Sequence, residues 1–142
     1  EKDSMFNTPP VFPIYVSMLT LEWLRDLGGI EVIEKMNQEK SDLLYTEIDR
    51  NSLFKGTAKK EDRSNMNVCF VLNDDSKEKI FNSMCNEAGI SGIKGHRSVG
   101  GYRASIYNAM PIKSVQLLVD IMKKLEKIIG GILIVKNFQM TN

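Results

Sequence analysis

The stretch from Met66 to Tyr107 constrains the architecture most, because its hydrophobic pattern changes period within a few residues. Positions 66–72, Met-Asn-Val-Cys-Phe-Val-Leu, hold few polar members and have the length of a strand. Asn73, Asp74, Asp75 and Ser76 follow with side chains suited to capping a helix. Ile80, Phe81, Met84, Cys85 and Ala88 then recur at helical spacing, and Gly89 closes the run. Residues 90–93 are short and apolar, 95–101 form a glycine-rich loop, and 102–107 alternate, with Ala104 and Ile106 facing opposite to Arg103 and Ser105. A strand, a helix and a hairpin-like pair of strands describe a small sheet with a helix laid on it, and so the α/β class in its α+β form.

The flanks are helical. Asn7-Thr8-Pro9-Pro10 is a rigid extended loop, since each proline fixes its own φ and drives the preceding residue out of the helical region. After Pro13, apolar residues on two stripes (Ile14, Met18, Leu21 and Tyr15, Leu19, Trp23, Leu27) leave only a narrow polar face. That composition predicts a helix buried on most sides, as between two domains, and ended by Gly28-Gly29. A second helix is predicted over 30–49, with Ile33, Met36, Leu43, Leu44 and Ile48 inward and Glu34, Lys35, Glu39 and Lys40 outward. Residues 56–65 are charged and turn-like. Pro111 starts a last helix whose stripe, Val115, Leu118, Val119, Met122, Leu125 and Ile129, is expected to end at Gly130-Gly131. The organisation expected is a loop and interdomain helix at 1–28, a small domain at 29–129, and a tail at 130–142. In that tail, residues 132–135 suit an added edge strand, a species-specific extension or a sequence foreign to the protein.

A chain of 142 residues, 42% hydrophobic and 26% charged, is long enough to bury a real core. Its net charge of +1 gives no overall attraction for nucleic acid or an anionic membrane, so any anion site must be local. Cys69 and Cys85, with no Cys-x-x-Cys pair and a single histidine, exclude the usual zinc spacings and a disulfide framework, so no metal is expected. Both read as buried free thiols of a reducing compartment. No apolar run approaches the roughly 20 residues of a bilayer span, and the opening lacks signal-peptide character, so a cytoplasmic location is expected. The first residue is not methionine and leads directly into the Pro-Pro loop, which reads as a chain cut from something longer.

Chemistry concentrates between Ala88 and Val119. No aspartate or glutamate occurs there, whereas Lys94, His96, Arg97, Arg103, Lys113 and five glycines do. Arginine presents a planar fork matched to carboxylate or phosphate, histidine adds a donor that protonates near neutral pH, and glycines admit main-chain N–H groups to an anion. The composition suits a small-anion site and a solvated loop equally well.

Residue order says more. Gly95-His96-Arg97-Ser98-Val99-Gly100-Gly101-Tyr102-Arg103-Ala104-Ser105-Ile106-Tyr107-Asn108-Ala109-Met110-Pro111 resembles, over seventeen positions, the C-terminal signature of the phosphoserine aminotransferase family. The opening, Met5-Phe6-Asn7-Thr8-Pro9-Pro10, then Ile14-Tyr15, Trp23-Leu24 and Gly28-Gly29, resembles it too. The resemblance covers roughly residues 4–129; the tail departs from it.

The resemblance implies the C-terminal part of a class V, fold-type I aminotransferase, with a small, mainly antiparallel sheet packed against helices. It implies pyridoxal 5'-phosphate as cofactor and a homodimer. The activity it implies moves the amino group of L-glutamate to 3-phosphohydroxypyruvate in serine biosynthesis, and in some bacteria also serves pyridoxine synthesis. By position, Arg103 would pair with the substrate α-carboxylate. His96 and Arg97 would hold the substrate phosphate or the side-chain carboxylate of glutamate across the dimer interface. Asn7 and Thr8 would donate to the phosphate of a cofactor bound mainly by the other subunit; by themselves they read as a plain turn. No lysine here, including Lys55, Lys59, Lys60 and Lys94, sits in the family's Schiff-base context, so no catalytic residue is assigned and the chain alone is expected not to transaminate.

Two rivals stand beside this reading. Gly92-Ile93-Lys94-Gly95 satisfies the Gly-x-x-Gly of KH domains, a loop that joins two helices and clamps single-stranded nucleic acid backbones. A non-catalytic α+β domain sensing an anionic metabolite also fits the composition.

Overall fold

Alternation of side chains sets the sheet. In β2 (Asn67–Leu72), Val68, Phe70 and Leu72 are buried while Asn67, Cys69 and Val71 face outward half-buried. The computed structural model describes residues 2–3, 5–95 and 100–140, with 132–140 as backbone. The elements run α1 (Val11–Leu27), α2 (Ile30–Arg50), β1 (Phe54–Gly56), β2, α3 (Glu78–Glu87), β3 (Tyr102–Ser105) and α4 (Ile112–Met140). β2 is the central strand of a three-stranded sheet, antiparallel to both neighbours. Val68 lies opposite Ala104 and Cys69 opposite Arg103. Helices on a small antiparallel sheet are the architecture that the sequence predicts.

The chain divides into two units, 1–35 and 36–142. In the first, α1 begins at Val11, two residues before Pro13. Proline is tolerated there because the first turn of a helix needs no intrahelical N–H partners. Gly28, at φ +115°, ends the helix, its N–H bonding to Arg25 O while that of Gly29 reaches Leu24 O. None of the side chains of α1 is buried within these 142 residues; Phe12 is 76% exposed and Leu21 65%, which leaves the expected burial between two domains untested by this chain alone.

In the second unit one face of the sheet carries the core. Phe54, Val68, Phe70, Leu72, Tyr102 and Ala104 form one cluster with Phe81 and Cys85 of α3, Leu44 and Ile48 of α2, and Val115, Leu118, Val119, Met122 and Leu125 of α4. Aromatic rings order its centre: Tyr102 stacks on Phe70 at 5.3 Å and meets Phe81 edge-on at 5.0 Å. Burial pushes the Cys85 thiol up to about 11, while Cys69 is only half-buried, so only one of the two expected buried thiols is found. At the end of α2, buried Glu47 accepts from Arg50 and Asn51, and Arg50 reaches Glu126, tying α2 to α4.

Several sequence expectations change. β1 escapes the pattern because it has three residues and only Phe54 is buried. Residues 90–93 form no strand; a single bridge, Lys94 to Tyr102, and a bond from Arg103 N–H to Ile93 O are what remains of the hairpin. α4 does not stop at Gly130-Gly131 but continues helically to Met140, so 132–135 are not an edge strand. Glycine weakens a helix interior by about 1 kcal/mol without forbidding it. Lys40, expected outward, is 1% exposed.

Candidate functional site

The acid-free segment folds around the edge of β3. Asp74 starts the turn into α3 by accepting from Ser76 N–H, and α3 ends where Gly89, at φ +77°, turns the chain toward β3. The 95–101 loop is closed at its base by Gly95 N–H bonding to Gly101 O at 2.8 Å. Both closing glycines are required sterically. A Cβ on Gly95 would collide with the Gly100 carbonyl, and one on Gly101 would sit 2.9 Å from Phe70 O. His96 and Arg97, the expected ligands for one end of the substrate, lie outside the described residues.

Arg103 is exposed on the sheet face turned away from the core, as the alternation predicts. Its backbone is held from both sides, by pairing with Cys69 of β2 and by the bond to Ile93 O. Among the described residues its guanidinium has no carboxylate within ion-pair distance. An open cavity of about 310 Å³ lies alongside, lined among others by Gly89, Ile93, Arg103, Ser105, Met110 and Ser114. On the same outward face Asn67 Oδ1 accepts from Ser105 Oγ at 3.1 Å and Tyr107 Oη at 3.2 Å. Fixed, beside a cavity and with no ion-pair partner among the described residues, Arg103 can receive a carboxylate in bidentate fashion.

Lys94 and Lys113 are exposed, Lys94 bridging to Tyr102 and Lys113 lying in the first turn of α4. Gly92 and Gly95 lead into a strand rather than a second helix, which removes the KH arrangement. Asn7 and Thr8 belong to the other unit; both are exposed and make no side-chain hydrogen bond to a described residue. No group of metal-ligating side chains occurs among the described residues, and no described helix is long and apolar enough to cross a membrane.

The sequence reading missed what anchors the far end of β3. Lys40 Nζ donates to the carbonyls of Ile106 at 3.1 Å, Tyr107 at 2.7 Å and Asn108 at 3.5 Å, and burial lowers its pKa. Asn37, one turn earlier on α2, donates through Nδ2 to Asn108 Oδ1 at 2.8 Å. The available signal was spacing: Lys40 falls four residues before Leu44 and seven after Ile33, on the buried stripe.

The family model for aminotransferase class-V matches residues 1–118. The chain belongs to the class-V aminotransferases. Within that family it is similar to the phosphoserine aminotransferase of Flavobacterium psychrophilum, 65% identical over 126 residues, which are 89% of this chain and 35% of that protein. It is 57% identical to the phosphoserine aminotransferase of Porphyromonas gingivalis over 128 residues, 89% of this chain and 36% of that one. Among solved structures, phosphoserine aminotransferase from Bacillus circulans subsp. alkalophilus superposes with a TM-score of 0.81 at 41% identity, over 87% of this chain and 35% of that one. The pyridoxal-phosphate-bound enzyme of Trichomonas vaginalis gives 0.76 at 38% identity, over 84% and 34%. The sheet and helices of this class-V aminotransferase chain are therefore those of the fold-type I enzymes, and the chain spans about a third of the length of the relatives it matches.

Proposed function

We propose that this chain is the C-terminal, substrate-binding part of a phosphoserine aminotransferase, the enzyme that converts 3-phosphohydroxypyruvate and L-glutamate to O-phospho-L-serine and 2-oxoglutarate. The observation that carries the reading is Arg103: a guanidinium with no described acidic partner, on a strand held from both sides, next to a cavity. Relatives of that name, matched over nearly the whole chain, support it.

In this reading Arg103 binds the α-carboxylate of each amino or keto acid in turn, which orients the α-carbon for proton removal and return. His96 and Arg97 take the other anionic end, the phosphate or the γ-carboxylate, from across a homodimer interface. Two cationic clamps, one for each anionic end, would select acids with two anionic groups and reject those lacking the second.

The exposed Thr8 hydroxyl and Asn7 amide, with no side-chain hydrogen bond to a described residue, are donors that fit a phosphate ester, so they would hold the cofactor phosphate of the neighbouring subunit. When bound, pyridoxal 5'-phosphate supplies the electron sink for the amino transfer. The lysine that anchors it lies in another part of the enzyme, so these 142 residues bind and orient but do not transaminate alone. A cytoplasmic homodimer serving serine biosynthesis, and in some settings pyridoxine biosynthesis, is the context proposed, with neither nucleic acid nor membrane as partner.

Arg103→Ala in the intact enzyme should lower kcat/KM for glutamate by about a hundredfold, the loss expected when a charge-assisted bidentate contact is removed. Unchanged turnover would reject the assignment. A protein with no transaminase activity before substitution would instead be a sensor of anionic metabolites. The 142-residue chain mixed with glutamate, cofactor and phosphohydroxypyruvate should show no sustained turnover.

A further inference from the structure

β3 has four residues and lies at the edge of its sheet, the position where strands are least restrained. Its start is fastened by the bond from Arg103 N–H to Ile93 O, and its side by β2. Its end is fastened by something unusual in a domain this size: a lysine 1% exposed, with no carboxylate within ion-pair distance among the described residues. Burying an ammonium is strongly unfavourable unless hydrogen bonds replace its hydration. The three N–H donors of Lys40 meet the successive carbonyls of Ile106, Tyr107 and Asn108. Asn37 adds a bond to the Asn108 side chain from the same face of α2. A leucine or methionine at position 40 would fill the space without the burial penalty, but it would leave the carbonyls of residues 106–108 unbonded to α2.

We infer that Lys40 is a positioning residue for substrate binding: by tying the carbonyls of residues 106–108 to α2, its ammonium holds β3 where Arg103 meets the substrate carboxylate. The inference rests on the substrate role proposed for Arg103. A bidentate guanidinium–carboxylate contact is sensitive to displacements of about 1 Å, so a frayed strand end weakens substrate binding even though Lys40 never touches the substrate.

A double-mutant cycle in the intact, cofactor-loaded enzyme tests this, with KM and kcat for glutamate measured in Lys40→Met, Arg103→Lys and the double variant. Lys40→Met should raise KM about tenfold with kcat changed less than about twofold, and Lys40→Arg should recover part of the loss. In the Arg103→Lys background, Lys40→Met should add less than about twofold, because the contact it positions is already gone. A full tenfold addition in that background, or an unchanged KM in Lys40→Met, overturns the inference. If Lys40→Met does not fold, Lys40→Gln and Asn37→Ala enter the same cycle with the same criteria. A normal KM in Arg103→Lys itself overturns the substrate role of Arg103 and this inference together. A raised KM there, beside normal values in the Lys40 variants, overturns the inference alone.

Discussion

Asp49 and Arg63 illustrate how single residues hold the turn-like segment after β1. Arg63 donates through both terminal nitrogens to the two oxygens of Asp49, at 2.8 and 2.6 Å, while its guanidinium lies 4.4 Å from the ring centre of Tyr45. The hydrogen bonds from Arg63 hold the Asp49 carboxyl below the usual carboxylate range, outweighing the opposing effect of burial. A depressed folded-state pKa stabilises the fold above the unfolded value of about 3.9 and loses that effect as pH falls through the lower folded value. Asp49→Asn should therefore destabilise the chain by about 1 kcal/mol at pH 7, a modest figure because the Asp49 side chain is 35% exposed. In urea titrations the gap between parent and variant should close below about pH 4; a gap equal at pH 7 and pH 3 would assign the effect to packing instead.

Among the elements, α4 departs furthest from its sequence signal. A Gly-Gly pair following an apolar stripe is an ordinary helix stop when one glycine adopts positive φ. Neither Gly130 nor Gly131 does so, whereas Gly28, Gly89 and Gly101 do. The sign of one substitution distinguishes the two conformations. Gly130 is exposed with no described atom within 4 Å of an added Cβ, so Gly130→Ala should stabilise α4 by roughly 0.5–1 kcal/mol, seen as a higher urea midpoint. A lower midpoint would mean that the helix terminates at 130. β3 presents the opposite case, since its alternation alone placed Ala104 and Ile106 opposite to Arg103 and Ser105, as found, with Ala104 and Ile106 buried and Arg103 exposed.

For the whole molecule, the contrast between units is the dominant physical fact. Residues 36–142 bury an aromatic and aliphatic core, while α1 exposes Phe12, Ile14, Tyr15, Met18, Leu19, Leu21 and Trp23. So much exposed apolar surface should drive the 142-residue chain to self-associate. Sedimentation velocity should show a mass rising with concentration, and replacing Phe12 and Leu19 by serine should restore the monomer; a strictly monomeric parent would contradict this. The sequence by itself determined the four α-helices apart from the end of α4, the central strand, the facing of Arg103 opposite to Ala104 and the absence of acids from 88–119, because periodicity and charge are local properties. Family resemblance of residue order named Asn7, Thr8, His96 and Arg97 as candidates; without it the first two read as a turn, and composition left the other two open between an anion site and a solvated loop. β1 and the burial of Lys40 were decided only by tertiary structure. A three-residue strand has too little alternation to register, and a lysine reads as surface until its partners are known. Those partners are carbonyls 66 and more positions further along the chain. No local pattern can report that a buried charge will be satisfied by backbone so distant in sequence.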